Sequence, residues 1–465
     1  MIVVNILVGL VGLGMVIFVH ELGHLIAAKL VGIDVEAFSL GWGRKLVGKT
    51  WKGTEYRISV FPVGGYCKMK GERSYTVALE ENRTEIPREE GSFFAAAPWK
   101  RIVALLAGPA ANILLAIVIL SVVWYVGFTT ESYENRIILA SEHQEQAVQT
   151  DAAERNPADA AGLQTGDVIV RMDDQQVDSY ADIQQIVAQN ALTPLPIVVD
   201  RDGLQYQLTL TPALDAETGA GYIGVYPWVD PKVAQVQSGS PAEQAGIQPG
   251  DVIRSVAGTP VRNSMDIGVS LAEATFPFSV TVVRKNELIE LSVPVSADDA
   301  QPEPAGASPV LGVAFETVQI PSPDLNILQA VGRGTVESVR ILATSVRSLR
   351  LLFQGVRLTS AVAGPVRISY YIGNVATSGF AVGFGVGVRA VANFLALLSV
   401  VLFFMNLLPI PVLDGGQIIL AGVEWIRGKS PHPKVVYRYQ LIGGIVVFAI
   451  LFFALFGDIL FLAGR

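Results

Sequence analysis

Charged side chains are scarce in this sequence. They make up 16% of 465 residues against 51% apolar, and the mean hydropathy is +0.44. A soluble globular chain carries about 25% charged residues. The shortfall excludes a disordered chain and argues against an ordinary soluble enzyme; it fits a membrane protein with a soluble insert. Cysteine is nearly absent too. Cys67 is the only one, which excludes a disulfide framework and any multi-cysteine zinc site. Excess positive charge is also missing. The net charge of −8 argues against nucleic acid as a partner, because such binders show a basic footprint.

What the chain does have is long apolar runs near its two ends. Ile2 to Val19, Ile102 to Phe128, Ala390 to Val412 and Leu441 to Gly457 carry no charge. Crossing a hydrocarbon core of about 30 Å takes roughly 20 helical residues. We therefore read a multi-pass α-helical membrane protein with four transmembrane helices, over residues 1–31, 102–128, 390–416 and 440–463. The first run lacks a basic n-region and a small-x-small cleavage site, so it is expected to stay rather than be removed as a signal peptide. The middle differs. Glu131 to Glu303 holds 26 of the 42 acidic residues and 9 basic ones. It reads as an acidic soluble insert.

Basic residues set the expected orientation. The loop at 32–101 carries 12 Lys and Arg, and the connection at 417–439 carries Arg427, Lys429, Lys434 and Arg438. Positive-inside places both in the cytoplasm, with the insert and both termini outside.

The insert contains a repeat. Asn156-Pro-Ala-Asp-Ala-Ala-Gly-Leu-Gln-Thr-Gly-Asp-Val-Ile169 recurs as Ser240-Pro-Ala-Glu-Gln-Ala-Gly-Ile-Gln-Pro-Gly-Asp-Val-Ile253, 84 residues on. Each copy reads as a capped short helix, a Gly-ended turn and a strand. The pattern resembles bacterial PDZ domains, which implies two inserted α+β PDZ domains at 131–217 and 221–297. Such domains bind extended peptides by strand addition, or they serve only to gate or space the membrane part. A linker is expected at 298–323, from the Pro, Ala, Gly and Ser of Gln301 to Pro309. Arg333, Arg340, Arg347, Arg350 and Arg357 then share one face of an amphipathic helix at 324–358, which reads as a helix at the membrane surface. Residues 359–389 are read as a connecting segment.

The chemistry lies in the first span. On a helix, His20 and His24 of His20-Glu21-Leu22-Gly23-His24 share one face one turn apart, as chelation of one metal ion requires. Neutral imidazole suits zinc. Glu21, beside the first ligand, is placed to act as general base on water. Three ionisable groups within five residues of an apolar span mark function. A catalytic zinc needs a third protein ligand. His143 is in the insert, on the far side of the membrane. His432 is in a cytoplasmic connection and is the weaker candidate. Asp414 follows 24 uncharged residues and is brought by the topology to the side of the His pair.

Together these residues resemble the site-2 protease family of intramembrane zinc metalloproteases, and within it the bacterial regulator proteases with tandem PDZ domains. The matching elements are His-Glu-x-x-His, the segment Asn406-Leu-Leu-Pro-Ile-Pro-Val-Leu-Asp414-Gly, and Gly108-Pro-Ala-Ala-Asn112. The resemblance spans nearly the whole chain. It implies that His20, His24 and Asp414 bind Zn2+, that Glu21 is the base, and that Asn406 helps hold substrate. One departure is Val401, where members often carry another Asn. The implied activity is regulated intramembrane proteolysis in the bacterial inner membrane. The implied partners are single-span membrane proteins such as an anti-sigma factor or a signal-peptide remnant.

The loop after the first span fits this reading. Thr54 to Val60 and Tyr66 to Met69 read as strands of a membrane-associated β-hairpin around Pro62-Val-Gly64-Gly65. Its edge could pair with an unwound substrate, and the resemblance supports such a role for Gly64 and Gly65. Cys67 needs no role beyond a reduced thiol. Two other classes compete. A catalytically silent scaffold that binds peptides through its PDZ pair has no reason to keep all four site residues. A metal transporter would line a path with several sites, whereas one cluster is visible.

Overall fold

The structure is a computed structural model and describes residues 2–142, 156–215, 219–272, 274, 277–294, 306–308, 310–351 and 364–463. His143, residues 298–305 and 309 of the expected linker, and the end of the amphipathic stretch with Phe353 and Arg357 lie outside the described residues. The chain divides into two units, Met1–Phe128 with Pro323–Arg465, and Thr129–Ser322.

Among the described residues of the first unit, four helices are long and apolar enough to cross a membrane. In hydrocarbon a helix satisfies its own backbone polar groups, which is why such runs fold this way. They are α1 (Ile2–Val31), α3 (Pro98–Val126), α10 (Phe384–Asn406) and α12 (Pro433–Ala463). A short helix, α2 (Ser74–Glu80), precedes α3. Pro98 starts α3, where its missing N–H is no loss, and Gly127 with φ 74° follows its end. The helix α10 stops at Asn406, short of the 390–416 run. Pro409 and Pro411 lie just beyond, and proline cannot continue a helix ladder. A new helix, α11 (Asp414–Arg427), then begins at Asp414 itself. The segment read as a connection at 359–389 is helical from Pro365 to Val382 (α9). Its Ser, Gly, Tyr and Asn residues depress the hydropathy that marks a span.

Hairpin strands β1 (Val35–Trp51) and β2 (Thr54–Met69) turn at Lys52 and Gly53, with φ 47° and 79°. Positive φ at both positions is the tight hairpin geometry. Both strands fold back on themselves. Residues 37–40 pair on one side with 55–58 and on the other with 65–68. Residues 65–69 therefore form an edge. Leu25, Ile33, Phe38, Met69, Phe93, Phe94 and Leu105 share one buried cluster, which anchors the hairpin to α1 and α3.

The amphipathic helix α8 (Ile327–Leu351) packs along α3. A Cβ on Gly334 would sit 3.0 Å from the Ile117 carbonyl oxygen, and Ser338 is fully buried. Ile341 and Leu342 pack on Ala116, Leu120, Ala396 and Val400. The face that meets protein helices thus carries Gly334, Ser338, Ile341 and Leu342, while Leu328, Val331, Val336, Val339 and Val346 are exposed.

The second unit shows the repeat as structure. The first copy carries β3 (Val168–Met172), β4 (Gln175–Gln176), β5 (Leu195–Arg201) and β6 (Leu204–Leu210), in sheet order β4-β3-β5-β6. The second carries β7 (Val252–Val256), β8 (Thr259–Pro260), β9 (Phe278–Arg284) and β10 (Glu287–Val293), in order β8-β7-β9-β10. Over this sheet the first copy packs α4 (Pro157–Ala160) and α5 (Tyr180–Gln189), and the second α6 (Pro241–Ala245) and α7 (Ser264–Ala272), each copy on its own apolar core. The Gly-Asp of the motif has the same task twice. Asp167 accepts Arg201 Nε at 2.7 Å, and Asp251 accepts Arg284 Nε at 2.7 Å. Each arginine also donates to a glycine carbonyl of the preceding turn, Gly162 or Gly246. The two ends of the unit meet where Thr129–Ser132 pairs with Val318–Pro321.

Candidate metal centre

His20 and His24 stack one turn apart on α1 and are 7% and 6% exposed. Their Nε2 atoms are 3.1 Å apart. Asp414, the first residue of α11, brings Oδ2 to 3.3 Å from His20 Nε2 and 3.5 Å from His24 Nε2. This Oδ2 is buried and makes no hydrogen bond. Among the described residues, these three form the one His/Cys/Asp/Glu group able to hold a metal ion. The donor set suits zinc. So does the spacing: tetrahedral ligands with bonds of about 2.0–2.1 Å stand roughly 3.3 Å apart. A buried carboxylate oxygen with no hydrogen-bond donor, facing two imidazole nitrogens, is costly unless a cation is shared.

Local packing places each donor. Helix α3 crosses the His pair with a stripe of small residues. Gly23 of α1 meets Ala107 and Ala111, and Gly108 lies against the His24 ring. His24 Nδ1 is 2.8 Å from the Ala104 carbonyl oxygen. The carbonyl only accepts, so Nδ1 carries the proton and Nε2 keeps its lone pair. On the other ring, Nδ1 of His20 is 3.2 Å from the Asn112 amide group. Asp414 is fixed by its own turn. Gly415 and Gly416 are pressed against the Leu407 and Ile410 carbonyls with no room for a Cβ. Gln417 Nε2 donates to the Pro411 carbonyl, and Tyr439 Oη donates to that of Gly416, at 3.2 and 2.9 Å.

Glu21 is half-buried, and the backbone N–H of Cys67 donates to its carboxylate. Cys67 stands in the edge segment of β2, so the hairpin and Glu21 are in contact. A Cβ on Gly65 would sit 3.8 Å from Glu21 Cγ, and one on Gly64 would sit 3.2 Å from Trp42 Nε1. Burial pushes the Cys67 thiol up, which keeps it an inert thiol. Asn406 is not brought into the cluster; its amide donates to the Leu402 carbonyl of its own helix at 3.0 Å. His432 is elsewhere as well, with Nδ1 accepting the Lys434 backbone N–H at 3.1 Å.

Sequence reasoning missed the parts of α3 that hold the rings. A backbone carbonyl such as that of Ala104 leaves no mark in a sequence. Gly108 and Asn112 stood in a quoted motif, but no role was read for them. The i, i+4, i+8 spacing of Ala104, Gly108 and Asn112 was the available signal, since it puts all three on one helix face.

Two histidines and an aspartate joined on apolar helices, with a glutamate beside them, define a metallopeptidase type of centre. The comparisons agree. The family description "Peptidase family M50" matches residues 8–450. A Treponema pallidum protein named "Putative zinc metalloprotease" is 37% identical over 460 residues, covering 99% of each chain. Proteins of the same name from Borreliella burgdorferi and Vibrio cholerae are 27% and 26% identical, each over 98% of both chains. The chain belongs to peptidase family M50, the site-2 proteases.

Proposed function

We propose that the protein is a zinc-dependent intramembrane endopeptidase, which hydrolyses a peptide bond in or beside the transmembrane segment of a single-span membrane protein. The observation that carries this reading is the trio of buried His20 and His24 with half-buried Asp414, their donor atoms 3.1–3.5 Å apart. These residues would hold the zinc, which when bound acts as a Lewis acid on the scissile carbonyl and lowers the pKa of water to about 7. Glu21 takes the proton from the attacking water and returns it to the leaving amine. One C–O bond forms and the C–N bond breaks. The edge segment of β2 receives the substrate as an added strand, beside the residue whose amide already holds Glu21. Gly64 and Gly65 keep that approach free of side chains, and Asn406 contacts the substrate.

The basic loops support a cytoplasmic-side site in an inner membrane, with the insert outside. The repeated fold and its motif support a tandem PDZ pair that screens substrates by the size of their external domain. Natural substrates on this reading are an anti-sigma factor already trimmed outside, or a remnant signal peptide.

The test is cleavage of such single-span proteins by the wild type and by Glu21→Gln. The amide cannot accept the proton, so the variant should keep zinc and fold but lose about 10²–10⁴-fold in rate. A loss of less than tenfold would remove Glu21 from the base role. A scaffold without activity should show no stoichiometric zinc on elemental analysis.

A further inference from the structure

We propose that Asn112 is a positioning residue for the metal centre: its amide oxygen accepts the Nδ1 proton of His20, which leaves Nε2 of that ring free to bind the metal. The proposal rests on the reading of His20 as a ligand and extends it to a side chain that touches neither metal nor substrate.

The two rings of the pair have the same problem. Each turns Nε2 toward the other ring and toward Asp414. A neutral imidazole has one protonated nitrogen and one lone pair. For Nε2 to bind a metal, the proton must be on Nδ1, and a buried N–H needs an acceptor. His24 has the Ala104 carbonyl. The group facing His20 Nδ1 is the Asn112 amide, 3.2 Å away and fully buried. As placed, the amide nitrogen faces Nδ1, and the buried amide oxygen has no hydrogen-bond partner. That orientation would donate to Nδ1 and force the proton onto Nε2, against the metal. Amide oxygen and nitrogen have nearly the same shape, so their assignment follows from the hydrogen bonds they make. Turning the amide over converts the 3.2 Å contact into N–H donating to oxygen, and gives the orphaned oxygen its partner. The same helix then serves both rings, through residues 104 and 112 on one face, two turns apart. Gly108 between them leaves room for the His24 ring.

Outer partners of metal-bound histidines typically contribute about 10- to 100-fold to metal affinity. The experiment measures zinc affinity of the full-length protein in detergent, by competition with a chelator of known strength. Asn112→Leu keeps the number and branching of the heavy atoms and loses the acceptor; it should bind zinc about 10- to 100-fold more weakly. Asn112→Asp can only accept, and should bind within a few-fold of the wild type. Asn112→Leu binding as tightly as the wild type would overturn the proposal, and so would Asn112→Asp as weak as Asn112→Leu. If Asn112→Leu fails to fold, Asn112→Ala, which also loses the acceptor and adds no bulk, takes its place in the same titration: it should bind zinc about 10- to 100-fold more weakly, and binding as tight as the wild type overturns the proposal. A wild type that binds no zinc would instead sink the metal reading itself, and this inference with it.

Discussion

Gly108 on α3 faces His24 on α1 with nothing between them, and a Cβ at position 108 would lie against Nε2 of the imidazole. The ring cannot withdraw without giving up the hydrogen bond from its Nδ1 to the Ala104 carbonyl, one turn away on the same helix as Gly108. The absence of one side chain therefore sets where the His24 imidazole can stand.

Gly108→Ala should displace the His24 ring or push α3 away from α1. Alanine is the better helix former, so the helix itself gains. We expect a folded protein whose zinc affinity falls by more than about 100-fold, beyond the range for an outer partner. Elemental analysis after gel filtration checks this. Zinc retained at the wild-type level would mean that the helices have slack at this crossing.

A second device sits two turns earlier on α3 than Gly108. Arg101 is 1% exposed and donates through Nη2 to Glu424 Oε2 on α11, the helix that begins with Asp414. The guanidinium also lies over Phe93 and Phe94, and Ser430 Oγ donates to the other carboxylate oxygen at 2.7 Å. Removing one partner of a buried pair leaves a charge without compensation and costs about 3–5 kcal/mol. Arg101→Met should lower stability by an amount near that range and loosen Asp414, with weaker zinc binding. Arg101→Met combined with Glu424→Met should recover much of the stability. Thermal unfolding of the three variants in detergent, with and without zinc, makes the comparison. Equal losses in the single and double variants would show that the pair does not clamp α11.

Much of this was legible in the sequence, and the gaps have physical causes. The apolar runs announced their helices, because an uncharged run of that length has few other uses. His20 and His24 announced a shared face by their spacing. The arrival of Asp414 depended on a turn through Leu407–Leu413, and an apolar run gives no sign that its helix stops inside it; Pro409 and Pro411 were the readable warning. Helix α9 was hidden because Ser369, Gly373 and Asn374 make its composition look like a connection. The strand from Val35 was hidden because it bends and pairs on both sides, so no single alternation runs through it.

The repeat makes a prediction in pH. Burial would raise the carboxyl of Asp251, but hydrogen bonds from Arg284 and the Gln248 backbone outweigh it and hold the group below the usual aspartate range. A carboxyl depressed in the folded state stabilises above its unfolded pKa, about 3.9, and that contribution is lost as pH falls through the folded value. Arg284→Gln should therefore weaken the second repeat at neutral pH, and its difference from the wild type should shrink below about pH 4. Hydrogen exchange at Phe278–Arg284 in the full-length protein reads this locally. A difference that stays constant down to pH 2 would assign the effect to lost packing of the arginine stem.

The pairing of Thr129–Ser132 with Val318–Pro321 offers a clean way to remove the insert. Val318 stands opposite Ser132 in this ladder, so a short turn can join them once residues 133–317 are deleted. Every proposed ligand lies outside the deleted segment, and zinc content should be unchanged. If the repeats screen substrates by size, the shortened enzyme should still cut a substrate whose external domain has been trimmed, and should now also cut one that retains it. A filter raises an access barrier without touching the chemistry, so its removal adds substrates and subtracts none. If the repeats instead recruit substrate by strand addition, the same deletion should raise KM for the trimmed substrate, since that contact is gone. We expect the first pattern. Loss of cleavage of the trimmed substrate with zinc retained would make the insert a receptor and leave the size filter without support.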